Sequence, residues 1–169
     1  MRVKGRAWVF GDAINTDLLA PGYAMTLPPK ELAQHCLEAA NPDFAREVRP
    51  GDVVVAGDNF GLGSSREQAA ISLHTLGVGA VLARSFARIF YRNAINIGLP
   101  ALSFDAVDEI ADGAALDLDL AEGWLKRGGD TFALKPLPPH IRDLIAAGGL
   151  MAQLHEKMAK QRQAEGSDA

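Results

Sequence analysis

Apolar and polar positions change period several times along this chain, and the changes mark its elements. Asp52–Ala56 (DVVVA) and Gly79–Ala83 (GAVLA) are short, nearly unbroken apolar runs, as in strands buried on both faces. After each run, apolar residues fall at helical spacing, over Arg66–Leu76 (REQAAISLHTL) and Ser85–Ile95 (SFARIFYRNAI). Gly77 and Gly98 stand where these helices must end, and Pro100–Phe104 restarts extended chain. Strand, helix, strand, helix, strand predicts an α/β unit with parallel strands.

The flanks are less regular. Gly5–Phe10 (GRAWVF) predicts a first strand, and Gly11–Thr16 (GDAINT) a loop of turn formers. Pro29 suits the first turn of a helix over Lys30–Ala39, with Leu32, Ala33, Cys36 and Leu37 on one face. Asn41–Val48 predicts another short helix, capped by Asn41 with Pro42 at its first position. Residues 105–112 predict a short helix. Leu116–Leu134 predicts two strands around Arg127-Gly128-Gly129-Asp130, a good hairpin turn. Pro138–Ala147 and Leu150–Lys160 read as closing helices, parted by Gly148-Gly149. No repeat or long linker interrupts the sequence. Residues 1–160 are expected to form a single compact domain, with residues 161–169 a disordered tail.

Composition narrows the function. The net charge of −4 disfavours nucleic acid and anionic membranes as partners. Ala80–Leu102 is broken by Arg84, Arg88 and Arg92, so it is not a membrane span. Met1–Gly11 lacks a following apolar stretch of secretory length, and a cytoplasmic location is expected. The lone Cys36 cannot form an intramolecular disulfide or hold an iron–sulfur cluster, which needs several thiolates. The four histidines show no metal-binding spacing, and no metal ligand is expected in this chain. His35, His74 and Cys36 read as packed helix residues.

Chemistry concentrates between one strand and its helix. Gly57–Ser65 (GDNFGLGSS) is glycine-rich, and Ser64, Ser65 and Arg66 follow Gly63 directly. A helix N-terminus offers unpaired N–H groups and the positive end of the peptide dipole. Glycines let backbone approach a ligand closely. Together these suit a carboxylate or a phosphate. Neither common nucleotide loop fits, since no Lys follows Gly63 and position 66 is Arg rather than a third Gly. A simpler reading competes at Ser64: Ser64-x-x-Glu67 is a capping box, so Ser64 would merely start the helix.

Three segments resemble the hallmarks of the aconitase-superfamily swivel domain. They are Gly11–Asp17 (GDAINTD), Gly57–Ala69 (GDNFGLGSSREQA) and Ser85–Pro100 (SFARIFYRNAINIGLP), in the right order and spacing, and the likeness covers roughly residues 5–155. It implies a swivelling β/β/α fold with a parallel-strand core and flanking helices. It also implies a two-chain hydro-lyase whose large subunit carries a 4Fe–4S cluster, joined to this chain as a heterodimer or heterotetramer, and acting on a malate-type acid. Carried over by motif, Ser64 is the base that removes the Cα proton, and Ser65 and Arg66 bind substrate. Thr16 and Asp17 match the family's Thr-Asp pair near the active site; a turn-stabilising role is the alternative. Arg88 and Arg92, one helical turn apart, fit a structural or subunit-docking role.

Two positions depart from relatives. Leu62 stands where many carry Cys. The loop Tyr23-Ala24-Met25-Thr26, which in the family reaches the substrate's variable branch, carries Met25 at the discriminating position. Methionine cannot neutralise a carboxylate, so an apolar branch such as that of 2-/3-isopropylmalate is implied, with Ala24 leaving extra room. Citraconate/2-methylmalate, 2,3-dimethylmalate and homoaconitate are the alternative substrates. A non-catalytic anion-binding module is the alternative of another class.

Overall fold

The computed structural model describes residues 1–167. Seven strands form one sheet in the order β4-β3-β2-β1-β5-β6-β7. The parallel half comprises β1 (Arg2–Val9), β2 (Val53–Ala56), β3 (Ala80–Ala83) and β4 (Ala101–Ser103). The antiparallel half adds β5 (Ala115–Asp119), β6 (Trp124–Arg127) and β7 (Asp130–Ala133) to the other edge of β1. The register runs Ala7↔Val53 and Val53↔Ala80 on the parallel side, and Lys4↔Asp117 on the antiparallel side.

Every residue of β2 and β3 is buried because both faces are covered. Alternate residues sort to two cores. Val54, Ala56, Val81 and Ala83 meet Leu73, Phe90 and Phe44 of the helices. Val53, Val55, Ala80 and Leu82 meet Leu116, Leu118 and Leu125 of the antiparallel strands. The helices are α1 (Thr16–Leu19), α2 (Pro29–Ala33), α3 (Phe44–Glu47), α4 (Glu67–Thr75), α5 (Arg88–Asn96), α6 (Pro139–Ala146) and α7 (Leu150–Ser167). Buried Asp52 ties the base of the parallel half together. Its carboxylate accepts from the Arg6 amide at 2.8 Å, the Trp8 indole at 3.0 Å and the Arg49 amide at 2.9 Å.

The α/β unit forms as the sequence predicts, and Gly77 and Gly98 take positive φ at the ends of α4 and α5. Several boundaries move. The helix expected over Lys30–Ala39 stops at Ala33 and continues as three-residue turns. Leu37 adopts φ 59° there, and its amide bonds to the Leu18 carbonyl instead of continuing the helix. Asn41 does not cap α3; its side chain accepts from the Asp43 amide one turn earlier. The helix expected from Ser85 begins at Arg88, because Phe86 first pairs with Phe60 as an isolated parallel bridge. Residues 105–112 contribute only a 3-10 turn at Val107–Glu109. Leu116–Leu134 holds parts of three strands rather than two: the Asp119 side chain accepts from the Ala121 and Glu122 amides and makes an extra turn. α7, expected to stop at Lys160, runs to Ser167 over the segment expected to be disordered, and residues 168–169 of that segment lie outside the described residues.

Candidate active site

The three hallmark segments meet at the carboxyl ends of the parallel strands. The loop after β2 lies against the loop after β1 through an isolated parallel bridge, Asn15↔Leu62. The Gly61 amide donates to the Ile14 carbonyl at 2.7 Å, and the Thr16 amide to the Leu62 carbonyl at 2.8 Å. Glycine is obligatory at these contacts. A Cβ on Gly61, at φ 81°, would fall 2.2 Å from the Phe90 Cβ, and one on Gly63, at φ 120°, 2.9 Å from the Thr16 Oγ1.

Ser64 does not cap the helix. The N-cap position belongs to Arg66, in extended conformation and without a side-chain cap bond, so the expected capping box is absent. The strained, glycine-directed turn carries the chain two residues further before α4 begins. The hydroxyl of Ser64 is consequently exposed to solvent at the loop tip, 3.3 Å from the buried hydroxyl of Thr16. Ser65 is exposed beside it. Among the described residues, the amides of Ser64, Ser65, Glu67 and Gln68 meet no protein acceptor, which leaves a row of donors around the two serines.

Arg66 is held from the other loop. Its Nη1 donates to Asp17 Oδ1 at 2.8 Å and to the Ala20 carbonyl at 2.9 Å. The same Asp17 oxygen accepts from the Gly22 amide at 3.0 Å. The Arg66 hydrogen bond, then the Gly22 amide, hold the Asp17 carboxyl below its ordinary pKa. One carboxylate oxygen therefore joins α1, the guanidinium and the start of the Tyr23–Thr26 loop. Asn15 secures α1 in turn, its side chain accepting from the Leu18 amide at 2.9 Å.

Sequence comparison with known proteins decides the family. The chain is 50% identical over 153 residues to a 3-isopropylmalate dehydratase small subunit of Methanopyrus kandleri, covering 88% of this chain and 90% of that one. It is 48% identical over 160 residues to the 3-isopropylmalate dehydratase small subunit of Wolinella succinogenes, covering 93% and 96%. This chain belongs to the 3-isopropylmalate dehydratase small-subunit family. The aconitase C-terminal domain model matches residues 27–107. A solved structure, a 3-isopropylmalate dehydratase of Methanocaldococcus jannaschii, superposes with a TM-score of 0.91 at 43% identity, over 97% of this chain and 99% of that one. The swivel-type α/β fold expected from the motifs is thereby shown.

Within this small-subunit fold the predicted residues divide into two groups. Thr16, Asp17, Ser64 and Arg66 meet as two hydrogen-bonded pairs, Thr16 with Ser64 and Asp17 with Arg66, with Ser65 exposed beside them. The Tyr23–Thr26 loop hangs beside it from Gly22. Tyr23 is 71% exposed and stands edge-on to His35, itself anchored by Glu38 at 3.0 Å. Met25 is half-buried and Thr26 exposed. Ala24, by contrast, is buried against Ala20 and Leu32 beneath the loop. Sequence reading missed the Gly22 amide as an anchor of Asp17 and the Ala20 carbonyl as an anchor of Arg66, since backbone groups leave no trace in residue type. His74, expected to be packed, is exposed near the end of α4. Cys36 is packed as expected, and burial pushes its thiol well above the ordinary range. A protonated core thiol is no cluster ligand. No group of three or more His, Cys, Asp or Glu gathers to hold a metal among the described residues.

Proposed function

We propose that this chain is the small subunit of an isomerising hydro-lyase that interconverts 2-isopropylmalate and 3-isopropylmalate in leucine biosynthesis. The observation that carries the mechanism is the Ser64 hydroxyl, free of any capping duty and set beside Thr16 and Arg66. A 4Fe–4S cluster on the large subunit would supply Lewis acidity toward the substrate's carboxylate and hydroxyl. This chain's residues do not suit such a cluster, so its own contribution is binding and proton transfer.

Ser64 Oγ takes the Cα proton of the substrate. A serine hydroxyl is a weak base, and it serves only where its alkoxide is stabilised. Three features favour that here: the free amides at the start of α4, the positive end of that helix, and the Thr16 hydroxyl at 3.3 Å. Arg66 binds a substrate carboxylate with the N–H groups that Asp17 and Ala20 leave free, and Ser65 adds a hydroxyl donor. Asp17 fixes the guanidinium and through Gly22 couples it to the specificity loop. Tyr23 and Met25 present apolar surface to the substrate's branch. Ala24, being buried, shapes the loop from beneath.

The decisive experiment reconstitutes the chain with its cluster-loaded large subunit. Ser64→Ala is expected to lower kcat by about 10²–10⁴-fold, with melting temperature moved by no more than about 2 °C, because no helix cap is lost. Retained turnover would exclude Ser64 as the base. The same assay tests the substrate. Isopropylmalate is expected to be consumed in preference to 2-methylmalate, 2,3-dimethylmalate and homoaconitate, and Met25→Arg to raise relative kcat/KM for the tricarboxylate by at least about tenfold. An unchanged ratio would remove the loop from specificity.

A further inference from the structure

The half-site at Ser64 opens outward, and the surface immediately beside it has its own character. Gly61 sits directly on Phe90 of α5, so the catalytic loop and the first turn of α5 form one continuous surface. Phe60 and Ala87 reinforce this join, the Ala87 amide donating to the Phe60 carbonyl at 2.9 Å. Leu62 and Ile89 each lie one residue from the Gly61–Phe90 contact, and each is 47% exposed. Two apolar side chains that could have been buried point to solvent on adjoining elements. Tyr91 is exposed on the same helix, leaning on Phe86. Arg88 and Arg92 are exposed on that helix too, and neither meets a carboxylate within 4.0 Å among the described residues. In a chain of net charge −4, this is a local excess of positive charge.

We infer that Leu62, Ile89, Arg88 and Arg92 form the docking surface for the cluster-bearing large subunit. The inference rests on the proposed two-chain reading and gives it a place on the molecule. The occupant follows from continuity. Leu62 is two residues from Ser64, so whatever brings the reacting centre to Ser64 must also cover this surface. The complementary patch on the large subunit is an apolar recess flanked by carboxylates, matching two apolar side chains with two unpaired guanidinium groups. A second copy of this chain fits less well, since a self-complementary contact would bring Arg88 and Arg92 against their own equivalents.

The test is association, read separately from activity. Binding of this chain to the cluster-loaded large subunit of the same organism is measured by isothermal titration and by sedimentation. The double variant Arg88→Glu/Arg92→Glu is expected to weaken Kd by about tenfold or more, and Ile89→Asp by a similar factor. Both positions are exposed, and circular dichroism checks that the fold is kept. Turnover of these variants should recover at saturating large subunit. Ser64→Ala should bind normally, and so should Met151→Glu on exposed α7.

If the wild-type pair turns over and the α5 variants bind like wild type, the docking surface lies elsewhere and the inference falls. It falls likewise if Met151→Glu alone weakens binding, or if the α5 variants change only self-association of the isolated chain. If the wild-type pair associates through this surface but consumes no isopropylmalate, the substrate reading fails while the docking surface stands. Absence of any association overturns both.

Discussion

The two halves of the sheet share β1 but use their backbones differently. In the antiparallel half, strand ends close on themselves. Arg127 pairs with Asp130 across Gly128-Gly129, and Asp119 satisfies the amides of its own turn. In the parallel half, each strand must leave the sheet at its carboxyl end, and the departing segments from β1, β2 and β3 are thrown together there. Their amides are spent on one another at Gly61 and Thr16, but not at Ser64 and Ser65. The candidate site residues therefore collect where the topology leaves backbone donors over, and not where hairpins consume them.

Glycine substitution should separate the halves most sharply. Gly61→Ala demands a left-handed φ and forces Cβ into Phe90, whose ring and Cβ belong to the packed core. A loss of about 3 kcal/mol is expected, read as a fall in Tm of roughly 6–12 °C. A second, smaller effect concerns charge. The Asp17–Arg66 pair lowers the Asp17 pKa, so the stability it adds is present above the ordinary carboxylate value and is lost as pH falls through the lowered one. Carboxyl titration by NMR should find Asp17 below its ordinary value and rising toward it in Arg66→Gln. An Asp17 that titrates normally in the wild type would dissolve the anchor. The smallest effect is expected at Gly129→Ala, where an added Cβ meets nothing within 4 Å. Stability should change by no more than about 0.5 kcal/mol. A large loss there would erase the contrast between the halves.

What could be read in the sequence follows the same divide. Buried strands and their following helices declare themselves by composition, because burial on both faces leaves little freedom of residue type. The loop's glycines likewise advertised close backbone approach, and Gly61 and Gly63 each make one. The capping box at Ser64 misled because spacing cannot show where a strained turn releases the chain. Gly63 at φ 120° delays the helix to Glu67, and Ser64 keeps its hydroxyl. The third antiparallel strand was hidden because its turn is built by a single Asp119 side chain and by Gly123 at φ 76°, with no tight two-residue signal. Leu62 departs from the motif in residue type, and only the structure shows that its side chain is left 47% exposed.

The shared strand also has a consequence for how the chain is assembled. β1 is made before both of its partners, which are Val53–Val55 on one edge and Ala115–Asp119 on the other. At roughly 5–20 residues per second of synthesis, its second edge waits several seconds for a neighbour. One edge of the central strand of the finished sheet thus stays unpaired until β5 has been made. The charges along it, Arg2, Lys4 and Arg6, are suited to keep that edge soluble while it waits.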